Sequence, residues 1–260
     1  MLDYELLESK LNEEARKILL LIKQDYYSYL GKKNKELIDN LINSEKIVVV
    51  DKGAFHYNDN TLAHGGRALG DGKIHFYPDS RNFESLEDAF NKCKKILTHE
   101  CFHYFIQPDN IKFSTVSELR MAHFYTEGLV EKESRKFYER HKDVISFEKA
   151  NYGFNINFVN MIQHKLGASS YKTIFGENEY LKNIGQYSNE YDEILKRKKA
   201  LLDKIINITN LFPAELHSKV YNRMRTMIVQ DGDDKDVMEK IKQIVPLLAP
   251  DIDGPTDIDQ

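Results

Sequence analysis

The chain has 260 residues, 30% of them charged, and carries a net charge of -4 at pH 7. That length suits one two-lobed domain or two small ones with a buried core; the near-balanced charge, without a long basic run, argues against a nucleic-acid binder. Cys93 and Cys101 are the only cysteines; eight residues apart on one predicted helix, they stand about 12 Å from each other by the helical rise and are expected as free thiols.

The opening Met1-Leu2-Asp3-Tyr4-Glu5 lacks the basic and apolar regions of a signal peptide. No apolar run approaches membrane-spanning length, so the default expectation is a cytoplasmic protein, with export by a route lacking a cleaved signal as the alternative. Apolar residues at helical spacing over 2–30 (Leu7, Leu11, Ile18, Leu21, Ile22, Tyr29) predict a scaffolding helix stopped by Gly31, followed by a short helix over Lys35–Asn43.

The period then changes. Lys46–Asp51 reads as a buried β-branched strand, with 54–57 as its continuation or its pairing partner. Thr61–Leu69 and Lys73–Pro78, joined by Gly70-Asp71-Gly72, predict a hairpin. Glycines in its first segment allow another backbone to come close, which makes Ala63, His64, Gly65, Gly66 and Arg67 the candidate edge strand for an extended peptide. His56, His64 and His75 read as surface or edge residues rather than ligands.

Ser85 is the expected N-cap of a helix running to about Ile106, with Pro108 ending it. Inside it stands His99-Glu100-Cys101-Phe102-His103. Two imidazoles four residues apart on a helix share one face and can reach one metal ion, while a carboxylate beside them can act on water held by that ion. A second long helix is predicted from Ser114 to about Arg140, with Glu127-Gly128-Leu129-Val130-Glu131 inside it. Gly costs roughly 1 kcal/mol against Ala in a helix interior, and close packing against the histidine helix is the expected reason for Gly128. The remainder reads as helices over 155–166, 190–208, 213–230 and 236–248, then an acidic flexible tail over 249–260.

A catalytic zinc site takes three protein ligands and leaves a fourth position to water. His99 and His103 supply two, and Glu127 is the candidate third, with His123 one turn before it as a competitor expected to make only a polar contact. Cys101 points away from the histidines and is expected to pack.

His-Glu-x-x-His at 99–103 followed by Glu-Gly-x-x-Glu at 127–131 resembles the gluzincin (thermolysin-like) zinc metallopeptidases, of the compact bacterial or phage kind. The resemblance implies an α+β, zincin-like fold: a small mixed sheet and active-site helix in an N-terminal lobe (1–110) and a mainly helical C-terminal lobe (111–248). It implies one Zn2+ per chain held by His99, His103 and Glu127, and Glu131 accepting a hydrogen bond from the other ring nitrogen of His99, where many gluzincins carry Asp. It also implies peptide-bond hydrolysis by zinc-activated water with Glu100 as general base, on a peptide or protein bound in extended form. An oxyanion donor would come from the helical lobe, with Tyr152, His164, Tyr187 and His217 all open as candidates. Three rivals stand beside this reading: a zinc-binding regulatory protein with little turnover, a zinc hydrolase of a non-peptide amide, and an all-helical interaction protein in which the motif is chance.

Overall fold

The computed structural model describes residues 2–51, 66–68, 72–76, 83–106, 113–166 and 183–232. The expected strand at 54–57, the edge positions Ala63, His64 and Gly65, the helix at 236–248 and the acidic tail lie outside the described residues, as does His56. The protein is mainly helical with a small sheet, an α+β composition, and among the described residues no helix is long and apolar enough to cross a membrane.

Two compact units divide the chain. The first draws its described residues from Met1–Lys112 and Leu129–Glu148, the second from Phe113–Gly128, Lys149–Leu166 and Asn183–Gln260. This division differs from the break expected near 110, because the C-terminal half of one long helix belongs to the first unit. Within that unit Arg140 and His141 both reach Asp25 (2.9 and 3.0 Å), and Lys17 donates to the carbonyl of Val144.

In the first unit, α1 (Tyr4–Tyr26) begins at Asp3, whose carboxylate accepts from the Leu6 amide at 3.0 Å, and buries Leu7, Leu11, Ile18, Leu19 and Ile22 on one face. It ends before residue 30, in a 3-10 turn over Tyr27–Tyr29. Gly31 does not stop that helix; it precedes α2 (Lys32–Ile42), which begins three residues earlier than predicted. Arg16 closes the far end of α2 by donating to the carbonyls of Ile42 and Ser44, a cation where the helix dipole favours one.

The sheet has the order β1 (Val48–Val50), β3 (Ile74–Phe76), β2 (Gly66–Ala68). β2 and β3 pair antiparallel with Arg67 opposite His75, as a hairpin requires, and the register leaves positions 69–73, which include Gly70-Asp71-Gly72, between the paired ends. β1 pairs parallel with β3, a relation that local sequence pattern does not announce. The outer edge of β1 is closed by α1. Asn12 Oδ1 accepts from the amides of Ile47 and Val48 (2.6 and 2.9 Å), its Nδ2 donates to the Val48 carbonyl, and Glu8 Oε2 accepts from the Val50 amide. Side chains thus take the hydrogen bonds that another strand would have taken.

α3 (Leu86–His103) starts at Ser85, which caps the Asp88 amide at 3.1 Å, and packs against α1 and the sheet. α4 (Val116–His141) starts with a reciprocal capping box. Thr115 Oγ1 accepts from the Glu118 amide (3.1 Å), and Glu118 Oε2 accepts from the Thr115 amide (3.0 Å).

In the second unit α5 (Gly153–Leu166), α6 (Ser188–Thr209) and α7 (His217–Asp231) pack together. The helix predicted over 213–230 divides into a 3-10 turn at Ala214–Leu216 and α7, which ends at Gly232 in the left-handed region (φ 63°). Phe124, Phe158 and Tyr191 form a mutual aromatic cluster, with ring centroids 5.3 to 5.8 Å apart. Gly128 does have a packing reason, but not against α3. A Cβ there would stand 2.4 Å from the backbone carbonyl carbon and oxygen of Asn155 on α5.

Candidate metal centre

The rotation of α3 about its axis is set by the two residues between Glu100 and His103. Cys101 and Phe102 are fully buried, and Phe102 meets Tyr26 and Phe137 edge-on at centroid distances of 5.8 and 5.4 Å. With those residues committed to the core, His99 and His103 share the adjoining face, one turn apart. Their Nε2 atoms lie 3.1 Å from each other. Two nitrogens bound to one tetrahedral zinc at about 2.05 Å stand about 3.3 Å apart, so the pair is already spaced as two ligands of one ion.

The other ring nitrogen of His99 faces α4. Its Nδ1 is 3.1 Å from Glu131 Oε2, and Glu131 is completely buried. The second oxygen of that carboxylate accepts from Arg135 Nε at 2.8 Å. A carboxylate accepts, so it selects the tautomer of His99 with the proton on Nδ1 and the lone pair on Nε2, toward His103. Between the two Nε2 atoms there is room for one shared proton, or for an ion taking both lone pairs.

Glu127 stands one turn before Glu131 on α4. One ligand atom each from His99, His103 and Glu127 can be chosen such that all lie within 4.8 Å of one another. Among the described residues this is the one group of three or more His, Cys, Asp or Glu side chains with that property. These three side chains could hold a metal ion between them. Two imidazoles and one carboxylate are the donor set of a catalytic zinc site, and three donors leave a coordination position to another ligand. Glu100, 6% exposed, is on the same helix beside His99.

His123, one turn before Glu127, is exposed and is not part of the group. Cys101 is no thiolate donor: burial first, then the negative charges of Glu100 and Glu14, raise its pKa far above the ordinary range and keep it protonated.

The four candidate oxyanion donors all belong to the second unit, and none is in the three-donor group. Tyr152 is half-buried just before α5, and His164 is exposed in that helix's last turn. Tyr187 is buried at the end of the 3-10 turn Ile184–Tyr187. His217 opens α7 with Nε2 2.7 Å from the Phe212 carbonyl oxygen, a contact that braces the turn before the helix.

Of the predicted substrate edge, Gly66 and Arg67 are described, in β2. That strand ends the sheet order on the side opposite the closed edge of β1. His75 is half-buried with Nδ1 2.7 Å from Asp51 Oδ2, which makes it part of the sheet's polar seam.

Sequence reasoning passed over Arg135 and the Asn12–Glu8 clamp. Arg135 had a readable signal, the i,i+4 spacing from Glu131; the clamp, acting across more than thirty residues, had none. Comparison with family models, with curated proteins and with solved structures gives no significant match.

Proposed function

We propose that this protein is a zinc-dependent metalloendopeptidase with a zincin-like arrangement of sheet and helices. The observation that carries the reading is the convergence of His99 and His103 Nε2 at 3.1 Å, with the opposite nitrogen of His99 engaged by the buried carboxylate of Glu131. A chance pair of helical histidines has no cause to be mutually aimed, with one of the two buried and held from behind by an acid. Glu127, within reach on the same helix as Glu131, supports a three-ligand site.

His99, His103 and Glu127 hold the ion. When bound, zinc supplies Lewis-acid polarisation of a carbonyl and of a water. Glu100, fixed on α3 next to His99, takes a proton from the attacking water and passes it to the leaving amine nitrogen. Glu131 holds the imidazole of His99 in the donor tautomer and orientation. The substrate lies extended along β2, because Asn12 and Glu8 occupy the outer hydrogen-bonding positions of β1. Three donors among the described residues favour turnover over a structural zinc site, which closes its fourth position with protein. The cytoplasm is the expected setting, and the two free buried thiols are compatible with it.

The test joins metal content to cleavage. Purified protein should contain one zinc per chain, removable by chelation, and should cleave unstructured protein substrates. Glu100→Gln should retain the zinc and lose activity by about 10²–10⁴-fold, the usual worth of a general base. Absence of stoichiometric zinc in the wild type sinks the metal reading; full activity in Glu100→Gln removes Glu100 as the base.

A further inference from the structure

We infer that Arg135 is a positioning residue for the metal centre, acting through Glu131 on His99; this rests on the zinc reading of the site. Glu131 is wholly buried, and leaving an oxygen of a buried carboxylate without a partner costs free energy. Here the oxygens are divided: Oε2 to His99 Nδ1 at 3.1 Å, Oε1 to Arg135 Nε at 2.8 Å. The glutamate side chain has three rotatable bonds, and a hydrogen bond to His99 alone leaves the carboxylate able to turn about the last of them. With Oε1 fixed by Arg135, only Oε2 is available to the imidazole, and its direction is set.

Arg135 is suited to this task by its place and its chemistry. It is one helical turn after Glu131 on α4, a spacing at which side chains meet. Its side chain is 21% exposed, so the contact is shielded from solvent more than a surface pair is. The planar guanidinium presents Nε–H in a fixed direction, which a lysine ammonium on its flexible stem does not. The consequence is carried along a line of three side chains: Arg135 sets the carboxylate, the carboxylate sets the ring of His99, and the ring directs Nε2 at His103.

The experiment measures zinc affinity by chelator competition and, separately, the melting temperature of the zinc-free protein, for wild type, Arg135→Met, Arg135→Lys, Glu131→Gln and the Arg135→Met/Glu131→Gln pair. Removing a partner that orients a ligand weakens metal binding by about 10–100-fold. Arg135→Met should weaken zinc by about tenfold and Arg135→Lys by less, and on the Glu131→Gln background Arg135→Met should add no more than about twofold, because its route is already cut. Arg135→Met affinity within twofold of wild type overturns the inference. So does an equal loss with and without Glu131, or a loss accounted for by the lower stability of the zinc-free protein. If Arg135→Met does not fold, Arg135→Lys decides: unchanged affinity overturns the inference, and a several-fold loss with an unchanged zinc-free melting temperature supports it. A wild type that binds no zinc overturns the metal reading together with this one, whereas wild-type binding with an indifferent Arg135 overturns this one alone.

Discussion

Replacing Gly128 with Ala sets two effects of opposite sign against each other, and the structure says which prevails. Alanine is the better helix former by roughly 1 kcal/mol, so in an open site the change would stabilise α4. At this site the new methyl would stand 2.4 Å from both the carbonyl carbon and the carbonyl oxygen of Asn155, and 2.9 Å from its Cβ. Ordinary contacts of that kind begin near 3.4 Å, so α5 has to retreat by about 1 Å. The obstacle is backbone inside a helix, and Asn155 is itself tied to α4 by its Nδ2 donating to the Phe124 carbonyl at 2.9 Å. Overpacking costs about 1–3 kcal/mol where side chains can adjust, and a clash with helix backbone belongs at or above the top of that range. The net expectation is a loss of about 2 kcal/mol or more, read as a fall of at least about 4 °C in melting temperature for a chain of this size. Because Glu127 adjoins Gly128, zinc affinity should fall in the same variant. A Gly128→Ala protein as stable as wild type, or more so, would refute the close approach of α4 and α5, since propensity alone would then have decided the outcome.

Glu127→Ala should weaken zinc retention by far more than His123→Ala; the reverse order, measured by the same chelator competition, would move the third ligand. Asn12→Ala should cost about 3–5 kcal/mol in denaturant unfolding, because the amides of Ile47 and Val48 and the Val48 carbonyl lose a buried partner at about 1–3 kcal/mol each and recover part of that through water. Cys93, whose thiol burial pushes up to about 12 from an ordinary 9.0, should react with a thiol reagent at pH 8 only after unfolding. The raised value also fixes a sign. Between about pH 9 and 12 the unfolded chain loses this proton and the folded chain keeps it, so the contribution of Cys93 is intact below pH 9 and declines above it. The stability of wild type should therefore fall more steeply over that window than the stability of Cys93→Ala, and parallel curves would count against the burial of Cys93.

Local signals hold where a local cause exists: Ser85 begins α3, α4 begins close to the expected Ser114, and the four-residue spacing of His99 and His103 brings two ring nitrogens together. The spacing of Glu127 and Glu131 is likewise local, but their approach to α3 depends on packing that no single stretch encodes. The misreadings share a physical origin in non-local contact. The spacing of Gly128 points to close packing on α3, whereas the close neighbour comes from α5, more than twenty residues further on. A glycine after an apolar periodic run signals a helix stop, but the chain leaves α1 before Gly31 and enters α2 from it. The parallel pairing of β1 with β3 follows from a crossover that periodicity cannot register. The open choice among Tyr152, His164, Tyr187 and His217 has the same cause: aromatic and imidazole side chains on helices are common, and only tertiary position separates a donor from a brace such as His217.

The organisation of α4 accounts for why the two short motifs are informative together. Glu127, Glu131 and Arg135 recur at intervals of four, so one stripe of one helix carries an acid able to bind an ion, an acid that meets the histidine from behind, and the base that anchors that acid. The three stand in different environments: Glu127 is half-buried, Glu131 is sealed from water, which strengthens its hydrogen bonds, and the side chain of Arg135 keeps 21% exposure, so that its charge is tolerated. Gly128, which lies against Asn155, and the fully buried Leu129 and Val130 lie off the stripe, and their burial fixes the rotation of α4 as that of Cys101 and Phe102 fixes α3. Two helices with independently fixed rotations present their polar stripes to each other, and the spacing of donors across them follows from core packing rather than from the donors themselves. Substitutions in that packing, Gly128→Ala among them, should therefore alter zinc affinity without touching a ligand, and it is this coupling that separates a metal centre built into the fold from acids and imidazoles that merely happen to be close.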